Sequence, residues 1–403
     1  MSDFNALHVI EALRSGVPSR AVGEYFSEAR PGMLRKINDR MNAVRETGRS
    51  DGMLFTGRYG EGKTHLLGTA YNMAFSANMV VSCVSLGKET PVDKPYLLYQ
   101  KLAANTYLPG AAQPGFRACL EELTPGSGIA GELLAYTAKE LETDKLYYLL
   151  RAFLGTQEEE ERAAFLADLE GDFTTGAAIK KSFRRVTGTV AKFNRNFSKV
   201  RHSMDYFRFL SHLFSLLGYG GWVLLFDEAE LIGRLGKKAR ARSYREMQAF
   251  LHPAARLERV FSLFALSSSY AEDVIAKKRE YENVDAAFAD DPDALAAARA
   301  TLDAMLSAPE LAPLTKGEIL QVIGRILEFY ARAYDWDPKV SAEEIYDATT
   351  AAGYLLRTKI RAAIEFLDQL YQYGEAGRIR FTELGRESFE EDINTPELPE
   401  LDG

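Results

Sequence analysis

Between residues 55 and 68 the chain reads FTGRYGEGKTHLLG, and Gly57, Gly62, Lys63 and Thr64 fill the four fixed positions of the pattern G-x-x-x-x-G-K-[ST]. The chemistry such a loop serves is phosphate binding. Glycines let backbone N–H groups turn towards phosphate oxygens, a lysine adds a point charge for the β and γ phosphates, and the threonine hydroxyl ligates magnesium. At average residue usage the pattern arises by chance in roughly one 400-residue chain per hundred. Its setting argues further against accident: GMLF before it reads as a short strand, and THLLGTAYNMAF after it has helical apolar spacing. Strand, loop and helix is the order that aims the positive end of a helix at an anion. A glycine-rich turn with a surface lysine is the plainer alternative. The spacing favours a nucleoside triphosphate, gathered by Gly57, Gly60, Glu61, Gly62, Lys63, Thr64 and His65.

A second group of reactive side chains lies far along the chain. GGWVLLFDEAELI, 220–232, runs apolar and ends in paired acids, which on a buried parallel strand places Asp227 and Glu228 at its carboxyl edge, where ligands bind in open α/β sheets. Asp227 then suits magnesium, through its water shell, and Glu228 suits the orientation of a water attacking a γ-phosphate. Two acids ending a strand or capping the next helix is the alternative for the pair taken alone. A small-molecule kinase usually needs one acid here, so Asp followed by Glu favours hydrolysis.

These groups need a scaffold, and the rest of the sequence supplies one. The chain has 403 residues, 46% hydrophobic and 26% charged, enough for two or three domains with a large core. Residues 1–50 form a helical segment broken by Pro18 and Pro31. NMVVSCVSLG, 78–87, is a second strand and RVFSLFALSSS, 259–269, a fourth. More than 130 residues separate the 78–87 and 220–232 strands, far beyond an ordinary crossover, and helical patterning predicts an α-helical insertion over about 100–210. The core then covers 51–310, and a helical lid covers 311–386, with segments near 315–334, 341–351 and 356–373. Residues 387–403 hold seven acids and no base, which predicts a solvated tail. Cys83 and Cys119 make neither a metal spacing nor a disulfide framework, so a reducing cytoplasm is expected. No leader-like start and no apolar run near 18 residues suggests a membrane.

The order of P-loop strand, second strand, LLFDE strand, polar-ended strand and helical C-terminal region resembles AAA+ ATPases of the origin-recognition type. Within them, IEALRSGVPSRAV, GRYGEGKTHLL, VSLGKETPVDKPYLLYQKL and GYLLRTKIRAAIEFLDQL are similar to the BrxD-like ATP-binding proteins of bacterial BREX phage-defence islands. The resemblance implies a three-layer αβα core with a parallel sheet, adenine preference with ATP and magnesium as ligands, a partner helicase of the large Lhr-like kind, and action on DNA. Carried over position by position, it implies a sensor-one residue at Ser267 or Ser268, where Asn or Thr is commoner, and a sensor-two arginine at Arg357, with Arg361 as runner-up. Either arginine could equally be a solvated helix residue. An arginine finger, needed only in a homo-oligomer, has Arg240, Arg242 and Arg245 as candidates, which spacing does not separate from a DNA-touching or a plain solvated face.

Net charge is −8, which argues against a uniformly basic nucleic-acid binder. Yet 180–202 carries Lys180, Lys181, Arg184, Arg185, Lys192, Arg195, Lys199 and Arg201 without one acid. Such a field suits DNA backbone without sequence specificity, or else a solvated or partner-facing surface. Phe183, Phe193 and Phe197 interleave with the cations, either to stack on unpaired bases or, more simply, to pack the insertion. Three functions compete: an ATPase acting on DNA, a slow ATP-set assembly switch, and a small-molecule kinase.

Overall fold

A computed structural model describes residues 3–15, 30–111, 113–253, 257–350 and 355–379. The acidic stretch 387–403 and Pro18 lie outside them. Five strands, β1 Asp51–Gly57, β2 Val80–Ser85, β3 Thr106–Tyr107, β4 Trp222–Asp227 and β5 Val260–Ser267, form one sheet in the order β1-β5-β4-β2-β3. All neighbours are parallel except β3, which pairs antiparallel to β2 at the edge. The acidic strand β4 therefore does not touch the P-loop strand β1. β5 lies between them, with Gly57 opposite Ser267 and Phe226 opposite Phe264.

A parallel sheet must bury both faces, and alternate residues of one strand enter different cores. Phe55 packs with Val81, Val223 and Leu263 beneath the helices Pro31–Thr47 and Lys63–Ser76, through Ile37, Met41, Leu67 and Ala70. Its neighbour Leu54 faces the other way, into a larger core with Leu224, Phe226 and Phe264. Helices Pro95–Ala104, Met204–Leu216, Lys237–Leu251 and Pro292–Leu306 cover that side.

The helices between β2 and β4 are not a separate body. Helices Gly128–Lys139, Lys145–Gly155 and Gly176–Thr187 contribute Leu133, Leu149, Phe153, Ile179 and Phe183 to the same core as β4. At its centre Lys145, 3% exposed, donates to Asp168 Oδ2 at 2.8 Å, and Asp168 Oδ1 accepts the Tyr206 hydroxyl at 2.6 Å. A buried charge pair with its remaining lone pairs satisfied fixes which helices meet there.

The lid has its own core. Capping boxes Thr315–Glu318 and Ser341–Glu344 start helices Lys316–Tyr334 and Ala342–Ala348, and Leu356–Tyr373 completes the group. The helices of residues 1–50, expected to be broken at Pro18 and Pro31, divide between two cores. Helix Asp3–Ser15 buries Ala6, Val9, Ile10 and Leu13 among Ile323, Ile326 and Leu367 of the lid, whereas Pro31–Thr47 lies under the sheet. Arg14 fastens the first helix, donating to Asp368 at 2.7 Å and to the Tyr334 hydroxyl at 3.1 Å. Both helices are amphipathic, so local pattern alone does not tell which apolar surface each one meets.

Candidate nucleotide site at the carboxyl edge of the sheet

β1 ends at Gly57 and the next helix begins at Lys63. The intervening loop turns through Gly60 at φ 81° and Gly62 at φ 91°, a left-handed backbone that only glycine adopts without strain. No side chain caps the helix. Among the described residues the N–H groups of Gly60, Gly62, Lys63 and Thr64 donate to nothing, the condition in which a helix start accepts an anion. The Lys63 side chain is 8% exposed, with Nζ at 3.0 Å from Gly57 O, 3.5 Å from Arg58 O and 3.8 Å from Glu230 Oε1. Glu61 is turned the other way from the expectation. Its carboxylate accepts the Arg58 N–H at 2.8 Å and its own N–H donates to Arg58 O at 3.2 Å, so it braces the loop from within. Thr64 and His65 are half-buried in the first helical turn.

The acids arrive at the same edge. Asp227, buried at the end of β4, accepts the Glu228 N–H on Oδ1 at 2.9 Å. Glu228 has φ 55° and ψ 36°, an uncommon conformation for a residue with a Cβ, and it leaves the carboxylate exposed beyond the strand. The short 3-10 helix Ala229–Arg234 follows and carries Glu230 back inside. Glu230, 7% exposed, accepts the Ser267 N–H on Oε2 at 3.0 Å and faces Lys63 with Oε1. Sequence reasoning missed Glu230, although the third acid of DEAE was its signal. Ser267 is buried at the end of β5, its hydroxyl 3.2 Å from that of Ser269, while the Ser268 N–H donates to Gly57 O at 3.2 Å.

The lid closes the third side. Arg357 donates its backbone N–H to Gly60 O at 3.1 Å and Nη1 to the Tyr59 hydroxyl at 2.8 Å, with the rest of the side chain exposed. Arg361 is exposed one turn on. A Cβ built on Gly62 would come within 2.9 Å of Leu356 Cδ2, so the lid rests directly on the loop. Arg30 was missed altogether. It donates its N–H to Glu318 Oε1 at 3.0 Å and Nε to Ala312 O at 3.2 Å, on the seam between lid and loop. Burial lowers its pKa from the ordinary arginine value, against the pull of Glu61 and Glu318. Only a left-handed turn at φ 60° brings it there, which no local pattern announces.

Residues 2–124 and 145–381 match the family described as BREX system ATP-binding protein BrxC/D. The chain belongs to this family. Among solved structures it is similar to Cdc6p from Pyrobaculum aerophilum, at 14% identity and a TM-score of 0.36, over 87% of this chain and 64% of that one. A likeness that distant carries no argument about function. No curated protein matches. No helix among the described residues is long and apolar enough to cross a membrane.

In this BREX family member the three finger candidates separate. Arg240 is excluded: its side chain is 3% exposed and forks onto Glu280 Oε1 at 2.9 and 3.1 Å, with Nη1 donating to Leu235 O at 2.6 Å. The spacing Arg240, Tyr244, Met247, Leu251 puts it on the buried face of its helix, a sign readable in the sequence. Arg242 is half-buried and donates to Asp93 at 3.2 Å, and Arg245 pairs with Glu246. The basic stretch 180–202 shows all eight cations exposed. Arg185 is taken up by Glu161 and Glu158, but Lys181, Arg184, Lys192 and Arg201 make no salt bridge among the described residues. Its phenylalanines are packing groups, which corrects the base-stacking alternative. Phe183 is buried edge-on to Tyr148, Phe193 lies against Tyr148, and Phe197 covers the Lys145 ammonium at 4.2 Å.

Arg240→Ala leaves Glu280 buried without its cation, so it should cost about 3–5 kcal/mol of stability. Thermal unfolding checks this. A variant as stable as the parent would return Arg240 to the exposed candidates.

Proposed function

We propose that this protein binds ATP with magnesium and hydrolyses it, as a cytoplasmic component of bacterial phage defence that acts on DNA. One observation supports this above the others: unbonded amides at the head of a helix, a buried ammonium and two carboxylates meet at one edge of a parallel sheet. The N–H groups of Gly62, Lys63 and Thr64 would receive phosphate oxygens, and Lys63 would exchange its carbonyl partners for the β and γ phosphates. Thr64 and Asp227 suit magnesium, which when bound neutralises charge on the phosphates. No group of three ligating side chains stands ready among the described residues, which fits an ion held largely by substrate and water.

Glu228 is the exposed acid and would hold and polarise the attacking water. Ser267, buried at the end of β5, would steady that edge more than reach outward. Arg357 already touches the loop through Gly60 and Tyr59, and from there it would read the nucleotide for the lid. In a homo-oligomer Arg242 or Arg245 would serve as the finger. A large Lhr-like helicase is the partner the family resemblance suggests. A slow assembly switch is the second reading, and an ATPase rate that DNA leaves flat would favour it.

Glu228→Gln keeps shape and leaves Asp227 in place, so ATP should still bind while turnover falls by about 10²-fold or more. Hydrolysis near the parental rate would make Glu228 a structural acid.

DNA contact is assigned to the unpaired cations of the insertion. Replacing Lys181, Arg184, Lys192 and Arg201 by Glu should weaken DNA binding and flatten the slope of log affinity against log salt, by about one unit for each phosphate that is no longer neutralised. Basal ATP turnover should persist. Unchanged DNA affinity in a salt titration would make this surface a protein-docking face.

A further inference from the structure

Glu230 is a buried acid that the hydrolytic chemistry does not require, yet it touches the machinery at two points. Its Oε2 accepts the Ser267 N–H at 3.0 Å and its Oε1 lies 3.8 Å from Lys63 Nζ. Lys63 Nζ in turn bonds Gly57 O, which also accepts the Ser268 N–H. These contacts form a ring that runs from the loop lysine through Glu230 to the end of β5 and back to the start of the loop. At 3.8 Å the ammonium is attracted to Glu230 but is not hydrogen-bonded to it, so turning towards a phosphate breaks no hydrogen bond to this carboxylate.

We propose that Glu230 is a positioning residue that competes with the nucleotide for Lys63, hastens nucleotide release and passes phosphate occupancy to β5. The inference rests on the nucleotide assignment of this site. A negative charge fixed near the triphosphate weakens ground-state binding. When Lys63 turns away, the same carboxylate stays on the Ser267 amide, and the end of β5 adjusts with it.

The test is calorimetric titration of magnesium ADP into the parent and Glu230→Gln, with stopped-flow release of a fluorescent ADP. Gln can still accept the Ser267 N–H but carries no charge. ADP should bind on the order of fivefold tighter and leave more slowly, with KM and kcat falling together. Affinity equal to or weaker than the parent's in the folded variant overturns the proposal. A second measurement needs no variant: amide hydrogen exchange of the parent should change at 262–270 when ADP binds, and an unchanged segment overturns the relay. If the parent binds no nucleotide, the site assignment itself fails. If it binds and the Gln variant matches it, only the role of Glu230 fails.

Discussion

An ammonium group that is 8% exposed needs partners, because removing it from water costs several kcal/mol. Lys63 finds them in two loop carbonyls and one buried carboxylate, at distances that lengthen from 3.0 to 3.8 Å. This is a loose solution, and much of the architecture follows from it. The carbonyls come from a loop that needs left-handed glycines, the carboxylate comes from a short helix after β4, and β5 must lie between β1 and β4 to receive both. A phosphate bound there, as proposed, would give the ammonium a charged partner in hydrogen-bonding reach.

The order β1-β5-β4 has a second consequence. Because β5 separates the loop strand from the acidic strand, the end of β5 is tied to both sides, through the Ser268 N–H on Gly57 O and the Ser267 N–H on Glu230. The insertion shares its core with β4 and with Leu54 of β1, and the lid touches the loop through Leu356 and Arg357. A basic surface on the insertion is thus connected to the sheet by continuous packing, a physical route from that surface to the carboxyl edge where the candidate nucleotide site lies. Such coupling requires two discrete arrangements, and the lid contact at Gly60 and Gly62 is where they would differ.

Much of this was legible in the chain itself. The P-loop, the DE strand and the strand at 259–269 carry strong local patterns, and a strand-to-helix loop or a strand lies at each of those positions. β3 has two residues, too short for any periodicity. Other features depended on contacts between distant segments. The first helix packs in the lid and Arg30 reaches the loop because of long-range packing, to which local spacing is blind. Arg240 was readable from its alignment with Tyr244 and Met247, whereas Glu230 became meaningful only when a 3-10 turn folded it back towards Lys63.

The central claim, that Lys63 and the amides around it form a phosphate site, is tested most directly by calorimetric titration of magnesium ATP into the parent protein and Lys63→Ala. The account predicts saturable binding to the parent and a loss of at least about tenfold in affinity for the variant, since a charge-assisted contact to phosphate contributes on the order of 1.5–3 kcal/mol. Equal, tight binding by both proteins would contradict it.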